Sequence, residues 1–291
     1  MFFGSMPALV TPFSGNCVDE DSLSAFVEWQ IEQGTNGLVP CGTTGEVATL
    51  NADEHRKVIA TVVRVANGRV PVLAGTGTYN TEASIERTRA AADLGADAAL
   101  VVVPYYNKPS QAGIAAHFTA IAEASPIPIV VYNVPSRTVA DISVETLGQI
   151  SKHPKIVAVK DATGNLARVS AQRIACGRDF CQLSGNDDMA LGFSAMGGVG
   201  CVSVSANVAP RLCSDFQTAM REGRWDDALD LQDKLFPLHA ALFSDASPAP
   251  TKYALSRVRK GFPAEVRLPI VEASDSSKRI VDAALEHAGL I

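Results

Sequence analysis

The chain alternates between short apolar runs and longer amphipathic segments through its first three quarters. The apolar runs lie at 8–10, 37–39, 70–74, 98–103, 127–132, 156–160, 181–184 and 201–204. Segments with helical periodicity follow them, at 21–33, 53–66, 81–94, 111–124, 144–151, 166–176, 188–196 and 208–221. Apolar runs bounded by turn residues are typical of strands buried on both faces, and parallel strands require crossover connections. The alternation therefore predicts an α/β fold, a (β/α)8 barrel.

An open, doubly wound sheet is the alternative with the same alternation. Such a sheet usually carries a glycine-rich phosphate-binding loop after its first strand. Here the corresponding segment at 11–16 reads Thr-Pro-Phe-Ser-Gly-Asn, and Gly75-Thr76-Gly77 after the third strand is too short a match. The pattern thus favours the barrel.

The strand-like runs stop after residue 224. Helical periodicity continues at 226–243, 252–260 and 275–288, with prolines at 248, 250, 263 and 269 in the connections. We therefore predict a barrel domain over 1–224 and a small C-terminal helical domain over 225–291, whose core is too small for independent stability.

Composition narrows the class of protein. Hydrophobic residues at 47% and charged residues at 19% describe an ordinary globular chain. A net charge of −6 argues against nucleic acid or an anionic membrane as the main partner. The six cysteines and five histidines are scattered without zinc-ligand spacing. With no signal peptide and no membrane-length apolar run, we expect a cytoplasmic protein without a metal.

A lysine closes the apolar run at 156–160. A buried ammonium is costly unless it is paired or deprotonated. Lys160 either escapes to solvent at the end of the strand, or it is a desolvated amine that attacks a carbonyl and forms a Schiff base. The neighbouring strand ends decide between these alternatives.

Barrel active sites form at the C-terminal ends of the strands. If Lys160 points into the barrel, the two-residue period turns Ala158 and Ile156 inward as well, and the two intervening valines outward. Tyr132 closes the preceding strand in the same way. The two side chains would supply a nucleophile and a proton shuttle in one mouth.

The second strand is followed by Gly42-Thr43-Thr44-Gly45-Glu46. A threonine followed by an acidic residue is also ordinary chemistry for the start of a helix. The functional interpretation is that backbone amides at a helix start bind a substrate carboxylate, while the hydroxyl groups relay protons. The sequence is compatible with both interpretations.

Four further residues near the strand ends have an ordinary structural interpretation, and one of them, Arg137, also has a functional one. Arg137 is either a surface arginine or a bidentate partner for a carboxylate. Tyr105 and Tyr106 would by default be packing aromatics. Cys41 is expected to be a small apolar residue, because no histidine lies near it in sequence to activate it.

Six motifs together resemble one enzyme family along essentially the full chain. They are Gly42–Glu46, Pro104-Tyr105-Tyr106-Asn107-Lys108-Pro109-Ser110-Gln111, Tyr132-Asn133-Val134-Pro135-Ser136-Arg137-Thr138, Val159-Lys160-Asp161-Ala162-Thr163-Gly164-Asn165, Ser184-Gly185-Asn186-Asp187 and Ser203-Val204-Ser205-Ala206-Asn207. The chain is similar to the pyruvate-dependent class I aldolases, the family that contains the dihydrodipicolinate synthases and N-acetylneuraminate lyase.

The resemblance implies a mechanism and its residues. Lys160 would form an imine with pyruvate that tautomerises to an enamine, and Tyr132 would act as general acid and base. Thr43 and Tyr106 would complete a proton relay to solvent, with Tyr106 entering from the neighbouring subunit. No metal or organic cofactor is implied, and the expected assembly is a homotetramer built from tight dimers.

Substrate binding is implied for four more positions. Thr44, with Thr43, would hold the pyruvate carboxylate, and the main chain at Val202 and Gly185 would belong to the same pocket. Arg137 would bind the carboxylate of the second substrate.

Arg137 and the Tyr105-Tyr106-Asn107 block favour the synthase branch, which condenses pyruvate with L-aspartate 4-semialdehyde to 4-hydroxy-tetrahydrodipicolinate in lysine and diaminopimelate biosynthesis. The alternatives are an aldolase or dehydratase acting on a 2-keto-3-deoxy sugar acid or N-acetylneuraminate, and a catalytically silent barrel that binds small molecules.

One departure from the family pattern concerns the Arg137 loop. Val139 stands where the family commonly has glycine, and a β-branched residue restricts the backbone there.

A second departure predicts weak or absent feedback inhibition by lysine. His55 and Tyr105 match the family's lysine site, but Val47, Ala52, Tyr79 and Ala83 stand where sensitive members tend to have Ser, His, Asn and Glu. Losing a carboxylate partner for the lysine ammonium removes roughly 1.5–3 kcal/mol of binding. Initial rates at increasing lysine concentration test this, and half-inhibition at submillimolar lysine would contradict it.

Overall fold

A closed ring of parallel strands forms the centre of the computed structural model, which describes residues 2–291. Met1, the first residue of the predicted barrel domain, lies outside the described residues. The strands are β1 (Gly4–Pro7), β2 (38–39), β3 (Leu73–Gly75), β4 (Ala98–Val102), β5 (Ile129–Asn133), β6 (Ile156–Asp161), β7 (Cys181–Ser184) and β8 (Gly200–Ser203).

The sheet order confirms the predicted (β/α)8 barrel. From β3 to β8 each strand pairs in parallel with the next, and β8 pairs with β1. Parallel bridges from Ala8 to Val39 and from Leu38 to Val72 insert the short β2 between β1 and β3. The ring is therefore closed, and the C-terminal ends of its strands meet in one mouth.

Helices connect the strands on the outside and continue beyond the barrel. They are α1 (Glu20–Glu32), α2 (Ala52–Ala66), α3 (Thr81–Asp93), α4 (Gln111–Ala124), α5 (Pro135–Thr138), α6 (Val144–Ile150), α7 (Ala167–Cys176), α8 (Ala190–Ala195), α9 (Pro210–Arg221), α10 (Trp225–Ala241), α11 (Ala249–Val258) and α12 (Asp275–His287). Single 3-10 turns lie at Val47–Thr49 and Ser205–Asn207, and a two-stranded hairpin joins Phe13–Ser14 to Cys17–Val18.

The first strand lies earlier in the chain than its hydrophobicity predicts. The strand expected at 8–10 is displaced, because the ladder to β8 is made by Gly4–Pro7, while Ala8 of the expected run pairs with Val39 of β2. Ser5 pairs with Cys201 and Met6 with Val202, so the partner strand selects a segment that is not itself an apolar run.

The apolar core has an inner layer within the barrel and an outer layer beneath the helices. Ala158, Val130 and Tyr132 belong to the inner layer, and Val159 belongs to the outer one, as the two-residue period predicts. Ile156 is an exception, since it packs in the outer layer. The pairing of β5 with β6 shifts register just before Ala158, and this irregularity reverses the alternation at the start of β6.

The three helices after the barrel share an apolar core with its last helix. Leu235 and Leu238 of α10 and Leu285 of α12 lie in one buried cluster with Phe216 of α9. This packing forms a C-terminal helical domain beside the barrel. The domain boundary predicted between 224 and 225 falls at the short link between α9 and α10. In residues 2–291 none of the helices combines the length and apolarity needed to cross a membrane.

Candidate active site

A cavity of about 490 Å³ opens at the C-terminal mouth of the barrel. The predicted site residues that line it are Lys160, Tyr132, Thr43, Thr44, Arg137 and Gly185. They come from four different strand ends, and the barrel brings them together although they span nearly half of the chain. Tyr106 and Val202 are not among its lining residues.

Lys160 and Tyr132 lie side by side at the base of the cavity. They occupy paired positions of β6 and β5, and only 6% and 7% of their respective surfaces are exposed. The Nζ atom of Lys160 lies 4.0 Å from the centroid of the Tyr132 ring. Among the described residues no carboxylate lies within ion-pair distance of this amine. The alternative in which Lys160 escapes to solvent is therefore wrong.

Gly185 makes room for the stem of the lysine. A Cβ atom at this position would lie 2.7 Å from the Cβ of Ala162 and 3.1 Å from the Cε of Lys160. Its amide donates to the carbonyl of Asp161 at 2.7 Å, so the backbone cannot easily move away. Glycine is thus required here by close approach of backbone to side chain.

The residue after the lysine anchors the end of β6. Asp161 is buried, and its Oδ1 accepts hydrogen bonds from the amide and hydroxyl of Thr163 at 2.8 and 2.6 Å. Its Oδ2 accepts from Gln172 of α7 at 2.6 Å and lies 3.4 Å from the Nε of Arg168. These contacts hold the strand end that carries Lys160.

The two threonines lie in a turn and not at the start of a helix. A hydrogen bond from the amide of Gly45 to the carbonyl of Gly42 closes this turn at 3.1 Å. Helix α2 begins later, with Asn51 as its N-cap, so the N-cap interpretation of the threonines is wrong. Thr44 is buried and Thr43 is exposed, and within residues 2–291 neither amide donates to another group. Two free N–H groups at the cavity wall suit a carboxylate.

Arg137 lies on the short helix α5, directly after β5. Its side chain is exposed at the cavity mouth, and among the described residues its guanidinium has no hydrogen-bond or ion-pair partner. An unengaged guanidinium at the edge of a pocket is available for bidentate binding of a carboxylate.

The backbone next to α5 is strained at Val139. This residue has a φ of +61° and a ψ of −34°, and 67% of its surface is exposed. Positive φ is rare for β-branched residues, because the Cβ crowds the backbone. The restriction expected from the sequence is thus located in the turn that ends the Arg137 helix.

Replacing Val139 by glycine is expected to raise the free energy of unfolding by about 1 kcal/mol, since it removes the strained Cβ. Urea denaturation of the two proteins measures the difference. Val139→Ala is the matched control, because it keeps the Cβ and should gain less than half as much. Equal stability of the glycine variant and the parent would contradict this account of the turn.

Tyr106 does not line the cavity of its own chain. It is 90% exposed and has a φ of +64°. Its neighbours hold the segment: Tyr105 packs edge-on against Tyr79 with ring centroids 5.2 Å apart, and the Asn107 amide donates to the Tyr79 carbonyl at 3.1 Å. Tyr105 is therefore a packing aromatic residue, as the sequence predicts by default. Tyr106 is displayed at the surface.

Val202 lies below the mouth, in the inner apolar layer of the barrel, and is 1% exposed. The cavity wall is formed instead by Val204, two residues further along.

The sequence did not reveal the wall that α10 contributes. Phe236, His239 and Phe243 line the cavity. The Nδ1 of His239 lies 2.7 Å from the hydroxyl of Ser205, and burial lowers the pKa of His239 below its ordinary value. Phe236 and His239 lie on α10, and Phe243 lies two residues beyond its end. Helical periodicity predicts the helix but does not say which surface it packs on, so no signal could have placed these side chains here.

Asp187 is a second lining residue without an assigned role, although the sequence placed it at a strand end. Its carboxylate accepts hydrogen bonds from the amides of Val204 and Ser205 at 2.8 and 3.2 Å. It thereby fixes the segment that follows β8.

The described residues show neither an activated cysteine nor a metal site. Cys41 is buried, and burial raises the pKa of its thiol well above the ordinary value, in line with an apolar role. Across residues 2–291 no group of three or more His, Cys, Asp or Glu side chains is arranged to hold a metal ion.

A (β/α)8 barrel with a buried, unpaired lysine at its C-terminal mouth is the architecture of class I aldolase-type lyases. The model of the dihydrodipicolinate synthetase family matches residues 1–288. The chain belongs to this family.

Individual relatives match from end to end. The chain is 62% identical over 291 residues to the 4-hydroxy-tetrahydrodipicolinate synthase of Zymomonas mobilis, and 60% identical over 290 residues to that of Rhizorhabdus wittichii. Both comparisons cover 100% of each chain. A crystal structure of the dihydrodipicolinate synthase of Acinetobacter baumannii complexed with pyruvate superposes with a TM-score of 0.95 at 42% identity, covering 100% of both chains.

Proposed function

We propose that this chain condenses pyruvate with L-aspartate 4-semialdehyde to 4-hydroxy-tetrahydrodipicolinate, a step of lysine and diaminopimelate biosynthesis. One observation carries the proposal: the unpaired Lys160 amine lies 4.0 Å from the Tyr132 ring in a cavity that also presents Thr43, Thr44 and Arg137. The names of the full-length relatives at 60% and 62% identity support it.

The first step is imine formation on Lys160. Its nitrogen attacks the keto carbon of pyruvate, the carbonyl oxygen leaves as water, and loss of a proton from the methyl group gives the enamine. Tyr132 is placed on the adjacent strand to donate and accept these protons. The protonated imine accepts the electron pair, so the chemistry requires no metal or organic cofactor.

The pyruvate carboxylate binds at the Thr43–Thr44 turn. The two free amides and the threonine hydroxyl groups supply hydrogen-bond donors there. The Thr43 hydroxyl group also passes protons onward to Tyr106. A side chain that is 90% exposed and outside its own cavity can reach the site of a second subunit. We therefore place Tyr106 in the partner's relay, within a tight dimer, two of which build a homotetramer.

The second substrate binds through its own carboxylate to Arg137. The enamine carbon attacks the aldehyde carbon, and the aldehyde oxygen takes a proton to become the hydroxyl group. The amino group of the second substrate then attacks the imine carbon and releases the Lys160 nitrogen as the ring closes. The lysine is regenerated, and the atoms balance without a further reactant. The cytoplasm is the expected compartment for this reaction.

A coupled assay with pyruvate and L-aspartate 4-semialdehyde tests the proposal. We expect both substrates to be consumed and cyclised product to form. The matched arms replace the semialdehyde with a 2-keto-3-deoxy sugar acid or with N-acetylneuraminate and measure release of pyruvate. Cleavage of either sugar acid without turnover of the semialdehyde would overturn the proposal in favour of the sister chemistry.

A further inference from the structure

A buried ion pair connects the threonine turn to the C-terminal helical domain. The Oε1 atom of Glu46, the last residue of the turn, lies 2.5 Å from the Nζ of Lys252 in α11. The two side chains are 3% and 0% exposed. Burial lowers the pKa of Lys252 to about 8, and the Glu46 carboxylate opposes that shift. The ammonium is therefore mostly charged at neutral pH.

Both charges make further contacts. Lys252 also donates to the carbonyl of Glu265 at 2.7 Å, and its Nζ lies 4.2 Å from the ring centroid of Phe13. The Oε2 atom of Glu46 accepts a hydrogen bond from the amide of Arg267 at 3.0 Å. The carboxylate is thus held from two points of the chain beyond the barrel.

Arg267 extends the same network to the segment after the turn. Its guanidinium donates to the carbonyl of Thr49 at 3.1 Å and to both carboxylate oxygens of Glu54 at 2.6 and 2.8 Å. Its guanidinium carbon lies 4.1 Å from the ring centroid of Phe13. The 3-10 turn and the start of α2 are therefore fixed together with Glu46.

The backbone of Glu46 transmits this anchoring to the threonines. Glu46 has a φ of +56°, a conformation that a non-glycine residue keeps only when its surroundings hold it. Its amide donates to the carbonyl of Thr43 at 3.0 Å, and the adjacent Gly45 carbonyl accepts from the hydroxyl of Thr11 at 2.7 Å. A shift of the Glu46 side chain therefore moves the backbone that presents the free amides.

A contribution to folding stability does not by itself explain the buried Glu46–Lys252 ion pair. Removing two charges from water costs free energy that their attraction often only just offsets, and apolar replacements of buried pairs are frequently neutral. The location suggests a positioning role, because the pair joins the cavity wall to an element more than 200 residues away in sequence.

We propose that the Glu46–Lys252 ion pair positions the Thr43–Thr44 turn, so that the C-terminal helical domain sets the affinity of the barrel for the pyruvate carboxylate. The inference rests on the proposed function, since it assigns pyruvate to that turn. Glu46 and Lys252 are positioning residues and contact no substrate in this account.

The test uses a double variant that removes both charges, Glu46→Gln with Lys252→Met, because either single variant leaves an unpaired buried charge and could fail to fold. The pyruvate concentration that gives half-maximal borohydride trapping is expected to rise about tenfold in the double variant, since small displacements of positioning groups have large effects. The KM for the semialdehyde should change by less than about twofold, because that substrate binds at a separate group.

Leu285→Ala, in the buried core of α12, is the matched control for lost stability. It should lower Tm yet leave the pyruvate dependence of trapping unchanged. A folded double variant with the trapping curve of the parent overturns the positioning role while the proposed function stands. A parent protein that traps no pyruvate overturns both.

Discussion

Replacing Lys160 by alanine lowers kcat for the condensation by about four orders of magnitude or more, the scale seen when a covalent nucleophile is removed. Within residues 2–291, Lys160 is the only lysine that lines the cavity, so no other amine can take its place. The coupled assay measures the rate, and borohydride trapping with pyruvate should give no adduct.

Lys152→Ala is the matched control for this variant. Lys152 lies in the exposed link before β6, at the opposite end of the barrel, and its removal should leave both turnover and trapping unchanged. Continued pyruvate trapping by the Lys160→Ala variant would show that another group carries the chemistry.

Replacing Arg137 by alanine separates the two substrates. A lost charge-assisted, bidentate contact is worth roughly 1.5–3 kcal/mol, so kcat/KM for L-aspartate 4-semialdehyde should fall about 10- to 150-fold. Pyruvate trapping should be unchanged, because Arg137 lies at the mouth and the amine lies at the base of the cavity. Steady-state kinetics with each substrate varied in turn measure both effects.

Arg178→Ala is the control for a general effect of lost positive charge. Arg178 is exposed just before β7, at the other end of the barrel, and its loss should leave kcat/KM unchanged. If Arg137→Ala instead weakened pyruvate trapping and spared the semialdehyde, the assignment of the two carboxylates would be reversed.

Much of the fold follows from the local pattern of the chain. Parallel strands need crossovers, so strand and helix alternate, and the two-residue period turns Tyr132 and Lys160 to the same side of neighbouring strands. The structure differs from the sequence-based prediction where pairing with a neighbouring strand determines the outcome. Gly4–Pro7 forms the first strand because it pairs with β8, and the register shift before Ala158 moves Ile156 to the outer layer.

The site was predictable where it depends on strand ends. Six of the eight expected residues line one cavity, because the barrel brings all C-terminal strand ends together. The wall from α10 and the Glu46–Lys252 pair were not predictable. They depend on how a distant helix packs over a turn, and helical periodicity does not encode the partner surface. The sequence of the threonine turn allows two interpretations, and the N-cap of α2 at Asn51 distinguishes between them.

The central claim is that the buried amine of Lys160 is the group that binds pyruvate covalently. Peptide mass mapping after borohydride reduction with pyruvate tests it most directly. The account predicts one adduct, on the peptide that contains Lys160. An adduct confined to another lysine, or no adduct under conditions where the enzyme turns over, would contradict it.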